Sequence, residues 1–138
     1  MKSYSAKIGK GAYVWLLSII TLLTFNYYEN INKGLFLGAL ISTLFLGLIW
    51  YVIFIFPKYH IAGDSLLLSN FLEKKTISIH EIRKIERNQI RGIYPILNPY
   101  QKGLVIHFNK YDDVFINPRS TDSFIRDLLE INPDFEII

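Results

Sequence analysis

Three histidines, His60, His80 and His107, are the side chains in this sequence that could ligate a transition metal through nitrogen or act as a base near neutral pH. Their spacing serves neither purpose. His80-Glu81 opens like the HExxH pair of a zinc protease, but Lys84 stands where the second histidine must lie to share a helix face. With no cysteine there is no thiolate nucleophile, no Cys-based zinc site and no disulfide framework. No GxSxG elbow, P-loop or GxGxxG turn occurs, and Gly9-Lys10-Gly11 lacks the strand a phosphate loop requires. Asp112 and Asp113 read as solvated residues of a hairpin turn. The expectation is a protein that is not an enzyme, with no catalytic residue, no metal and no cofactor.

A basic row is the one remaining constellation. Arg83, Arg87 and Arg91 are spaced four apart, with Lys84 beside the first. Four residues is an even step of a strand and close to one turn of a helix, so either would place the arginines on one side. Held near an inner leaflet, Arg83, Lys84, Arg87 and Arg91 would form a face for anionic lipid, each contact being worth about 1 kcal/mol. The simpler reading, a solvated face offset by Glu81 and Glu86, is preferred.

What would hold such a face near a membrane is the N-terminal third. Gly11–Tyr28 and Leu35–Phe56, 18 and 22 residues long, contain no Asp, Glu, Lys or Arg. A hydrocarbon core about 30 Å thick needs roughly 20 apolar helical residues, because no water is present to satisfy an open backbone. Tyr13, Trp15, Tyr27, Tyr28, Trp50 and Tyr51 lie toward the ends, where amphipathic rings favour the headgroup region. The link from Glu29 to Gly34 is short enough to make an antiparallel hairpin, with both chain ends on one side. Lys2, Lys7 and Lys10 precede the first span and Lys58 follows the second, against Lys33 alone in the turn. Positive-inside bias therefore places both termini in the cytoplasm. A signal peptide is disfavoured, since no small-x-small cleavage pattern follows and a second span comes at once. Gly34, Gly38, Ser42 and Gly47 are small residues that would permit close helix approach or a homo-oligomer, but a lone GxxxG identifies no interface.

Charge divides the chain in the same way. Residues 1–56 hold four lysines against Glu29, whereas residues 57–138 hold 11 bases against 11 acids. The surplus of +3 thus flanks the membrane segments, which argues against nucleic acid as a partner. Two units are expected: residues 1–56 as an N-terminal tail and transmembrane hairpin, and residues 57–138 as a small cytoplasmic domain.

After Pro57 the pattern becomes one of short strands separated by turn residues. Lys58–Ile61, Leu66–Ser69, Lys75–Ile79, Lys84–Ile90, Leu104–Phe108 and Val114–Asn117 read as six strands. Ile77 and Ile79 lie on the face opposite Thr76 and Ser78. Short links make the strands an antiparallel meander. A helix follows, with Ser120 or Thr121 as N-cap, Asp122 favourable near its positive end, and Asn132-Pro133 as the stop. Phe124, Ile125, Leu128 and Leu129 share its apolar face. The fold class is α+β.

The order YHIAGDSLLLS, KKTISIHEIRKIE, GLVIHF and VFINPRSTDSFIRDLLEINP resembles the bacterial PH domain family of YyaB-like proteins. In that family a two-helix membrane anchor precedes a small PH-like antiparallel β half-barrel capped by a C-terminal helix. The resemblance covers roughly residues 57 to 135 and rests on Tyr59, Gly63 and Asp64, on Ile77, Ile79, Glu81 and Ile82, and on Ile116, Pro118, Phe124, Ile125, Asn132 and Pro133. Asn117 departs from it where Ser is usual, and the GIYPILNPYQKG loop departs in having little Ser. It implies a fold and a membrane setting and no established activity.

The expected protein is therefore a non-enzymatic interaction module of the cytoplasmic membrane, its partners being membrane lipids or an unidentified protein. The alternative is an immunity protein shielding its producer's membrane from a peptide toxin. An orphan transporter half is disfavoured, because neither apolar stretch holds an ionisable residue.

Overall fold

The charge-free stretches become helices α1 (Lys10–Ile31) and α2 (Phe36–Phe54) in the computed structural model, which describes residues 1–55, 57–69, 74–90 and 102–138. At about 1.5 Å per residue the helices are about 33 and 28 Å long, so each can cross a hydrocarbon core. The second is described only to Phe54, and Phe56 lies outside the described residues. Large apolar side chains point outward, with Leu22, Phe25, Leu37 and Leu44 each at least 65% exposed. A core helix of a water-soluble protein would bury them, so this exterior supports membrane association.

Hydroxyls within the helices are satisfied locally, as a low-dielectric setting requires. Ser18, Thr21 and Thr24 donate to the carbonyls of Val14, Leu17 and Ile20 at 3.0, 3.0 and 2.9 Å. Between helices, Trp50 Nε1 donates to the Ala12 carbonyl at 3.1 Å, and Thr43 Oγ1 lies 3.1 Å from the Tyr27 hydroxyl. Gly11, Ala12 and Ala39 are the buried small residues among the described residues of the pair. Gly34 and Gly38 instead face open space, so their GxxxG spacing is not what joins the two helices.

Six strands follow as the alternation predicts: β2 (Lys58–Ala62), β3 (Ser65–Ser69), β4 (Lys74–Ser78), β5 (Ile82–Gln89), β6 (Gly103–Phe108) and β7 (Asp112–Ile116). They are not one sheet. A 3₁₀ turn at Ile79–Glu81 breaks the meander between β4 and β5, giving two four-stranded sheets. Two short strands outside the sequence reading complete them. Lys2–Ser5, read there as tail, is β1 and pairs antiparallel with β2, Lys2 opposite Ile61 and Ser5 opposite Lys58. Glu136–Ile137 is β8, parallel to β5. Each covers an edge whose backbone groups would otherwise be open to pairing with another chain.

Between the sheets lies the core: Tyr59, Ile61, Leu66, Leu68, Ile77, Ile79, Ile82, Ile85, Leu104, Ile106, Phe108 and Ile116. Helix α3 (Thr121–Ile131) closes it with Phe124, Ile125 and Leu128, all buried as the helical spacing predicts. Ser120 is the N-cap without a side-chain hydrogen bond. Gly103 is required sterically, since an added Cβ would stand 2.5 Å from both the Ile116 carbonyl oxygen and the Phe115 ring.

Candidate functional site

Strand β5 carries Arg83, Lys84 and Arg87 of the basic residues singled out by their spacing. Its register with β6 shifts between Ile82 and Lys84, and again between Glu86 and Gln89, where Asn88 has a φ of 58°. Each extra residue changes which side the following residues face. Ile82 and Ile85 are consequently both buried although three apart. Arg83 donates to the Lys110 carbonyl at 2.9 Å. Lys84 Nζ lies 2.7 Å from Glu86, itself 3.3 Å from His107 Nε2. Arg87 reaches Asp122 at the start of α3, 3.1 Å away. Arg91 and the Gly92–Pro99 loop lie outside the described residues. Among the described residues, then, Arg83, Lys84 and Arg87 have three different sets of partners. The Lys84 ammonium and the nearby His107 hold the Glu86 carboxyl below its ordinary value.

The histidines are dispersed. His60 sits in β2 opposite Ser3 and Leu67, His80 lies 3.8 Å from Asp64, and His107 is on β6. Among the described residues no three His, Cys, Asp or Glu side chains come together as a metal site.

A cluster that the sequence reading missed joins the two ends of the chain. Asp127, 6% exposed on α3, accepts from Lys2 Nζ at 2.8 Å and from the Tyr4 hydroxyl. Glu130 lies 3.3 Å from the same ammonium. The Tyr4 ring meets Phe124 edge-on at 5.2 Å. Hydrogen bonds from Lys2 and then Tyr4 hold the Asp127 carboxyl below its ordinary value. Burial, followed by the bond to Asp127, pushes the Tyr4 hydroxyl up to about 12. The signal was present: Lys2 and Tyr4 are two apart and share a strand face. What hid it was a strand of only four residues whose partner lies beyond both helices.

The same strand fixes the helices to the domain. Ala6 bridges Pro118, and its N–H donates to the Pro57 carbonyl at 3.2 Å. Lys7 N–H donates to the Asn117 carbonyl at 2.8 Å and Arg119 N–H to the Ser5 carbonyl at 2.9 Å. Asn117 in turn donates its N–H to the Tyr59 hydroxyl at 3.2 Å. Register carries this junction across the first sheet, with Ser5 opposite Lys58, Lys58 opposite Ser69 and Ser69 opposite Lys74. Lys7, Lys58, Lys74 and Arg119 thus gather at the end of the domain nearest the helices.

No curated protein and no solved structure matches. A family model described as a bacterial PH domain matches residues 57–132, which is more than half of the chain. Its limits run from the residue before β2 to Asn132, whose side chain ties the end of α3 to the turn between the sheets. By this match the chain belongs to the bacterial PH domain family.

Proposed function

We propose that the protein is a non-enzymatic, multi-pass protein of the cytoplasmic membrane that holds a PH-like interaction module against the inner leaflet. PH domains in general bind lipids or proteins and are not catalytic, which is the setting for this reading. The observation that carries it is the pairing of Lys2–Ser5 with Lys58–Ile61. The strand entering the hairpin and the strand leaving it are hydrogen-bonded neighbours, so one side of a bilayer would hold both termini. Lys2, Lys7, Lys10 and Lys58 near that end, against Lys33 at the turn, favour the cytoplasmic side. A module tethered in this way has a high effective concentration at the surface, and weak contacts suffice.

Arg83, Lys84 and Arg87 of strand β5, with Arg91 two residues beyond it in the sequence, are one proposed contact. Alkaline carbonate extraction of membranes, followed by reconstitution into anionic and neutral vesicles, tests the reading. The protein should stay in the carbonate pellet, and the arginine-to-glutamine variant of positions 83, 87 and 91 should bind anionic vesicles less well. Release by carbonate would sink the anchor, and unchanged binding would remove the β5 face.

A further inference from the structure

A cavity of about 510 Å³ lies where the sheet meets the helices. Its lining includes two basic residues, Lys7 from the link between β1 and α1 and Arg119 from the link between β7 and α3. Ile8, Tyr13 in the first turn of α1 and Ile55 at the end of α2 add apolar surface. No carboxylate is among its described lining residues. Lys7 and Arg119 are held by backbone rather than by chance proximity, because the Ala6–Pro118 bridge and the two hydrogen bonds flanking it fix both segments.

We infer that this cavity is a headgroup site for an anionic glycerophospholipid of the leaflet that contains the helix ends. The inference rests on the membrane reading above and specifies its ligand. The charges of Lys7 and Arg119 favour an anion, and a guanidinium can grip phosphate oxygens in bidentate fashion. Tyr13 and Ile55 sit where the apolar helices end, the depth at which acyl chains give way to phosphate, so the apolar surface meets the glycerol and upper chain while the cations meet the phosphate. The volume falls within the range of small-molecule sites, which run from about 300 to 1,000 Å³. Lys58 and Lys74, along the same end of the sheet, extend the positive field without lining the cavity.

The test uses the full-length protein extracted in mild detergent, with native mass spectrometry counting bound phosphatidylglycerol against phosphatidylcholine. The native protein should retain phosphatidylglycerol preferentially. Lys7→Gln with Arg119→Gln should cut that preference by roughly 25-fold, about fivefold for each cation. Lys7→Arg with Arg119→Lys should keep it, which separates lost charge from lost folding. Lys102→Gln with Lys110→Gln, two exposed lysines away from the cavity, should leave it unchanged, and soluble glycerol phosphate should not displace the lipid. Equal retention of the two lipids by the native protein, an unaltered preference in the glutamine pair, or full displacement by glycerol phosphate would each overturn the site. Carbonate extraction of the same membranes distinguishes the failures. A protein that remains embedded but shows no preference defeats the site alone, whereas one that washes off defeats the anchor and the site together.

Discussion

The Lys2 ammonium lies 2.8 Å from the buried carboxylate of Asp127, joining the strand that precedes the helices to the helix that closes the domain. Tyr4 donates to the same carboxylate, so the first residues of the chain complete a fold whose other elements begin after Pro57. The helical hairpin is in effect an insertion between two adjacent strands of one sheet.

This clasp gives stability a defined pH window. Asp127 is held below its ordinary 3.8, so around pH 4 the folded state binds fewer protons than the unfolded chain, and the contribution is lost as pH falls through that range. Tyr4, raised from 10.0 to about 12, and Lys2, raised by its bonds to Asp127 and Glu130, act at the other end. Their contribution is complete below about pH 10 and is lost as pH rises further. Thermal melts of the full-length protein in detergent should therefore show a plateau between these limits. Asp127→Asn should cost about 1–3 kcal/mol at pH 7 and flatten the acid limb. An acid limb identical to that of the native protein would contradict the role given to Asp127.

The insertion predicts how the domain can be cut. Residues 57–138 alone lack β1 and leave Asp127 buried without Lys2 or Tyr4, so their midpoint of thermal unfolding should be lower by on the order of 10 °C than that of a hairpin-deleted chain. That chain joins residues 1–8 to Pro57 through a short Gly/Ser linker, a small gap because Ala6 N–H already lies 3.2 Å from the Pro57 carbonyl oxygen. Equal midpoints would mean that β1 adds nothing to the fold.

Asn132 has a comparable function at the break between the sheets. Its buried Nδ2 donates to the carbonyls of Ile79 at 2.9 Å and Ile82 at 3.3 Å, and its Oδ1 accepts from Asp134 N–H at 3.1 Å. Asn132→Ala should lose about 1–3 kcal/mol, read as a lower denaturant midpoint at unchanged slope, because the Ile79 and Ile82 carbonyls each lose a buried donor. A midpoint within error of the native value would show the turn to be held by packing alone.

Local patterning made the six principal strands and the apolar face of α3 legible, since alternation and helical spacing are properties of adjacent residues. Leu66, Ile77, Ile106 and Leu128 are buried for that reason. Nonlocal partners were not legible. Strand β1 contains one apolar residue, Tyr4, and exists because β2 offers it an edge. The two register shifts of β5 were not legible either, since nothing in the spacing of Arg83 and Arg87 marks them. Lys7 and Arg119 share a cavity only because the Ala6–Pro118 bridge brings distant segments together. The stop at Asn132-Pro133 was visible, but the use of the Asn132 amide to hold the break between sheets was not.

The central claim is that β1 and the C-terminal domain share one side of a membrane crossed twice between them. Its most direct measurement is labelling of single cysteines with a membrane-impermeant maleimide, in a chain that has no native cysteine to confuse the result. The account predicts that Lys33→Cys is labelled from outside intact cells, while Ser3→Cys and Ile138→Cys are labelled only after permeabilisation. Labelling of Ser3→Cys and Ile138→Cys from opposite sides, or of both from outside, would contradict it.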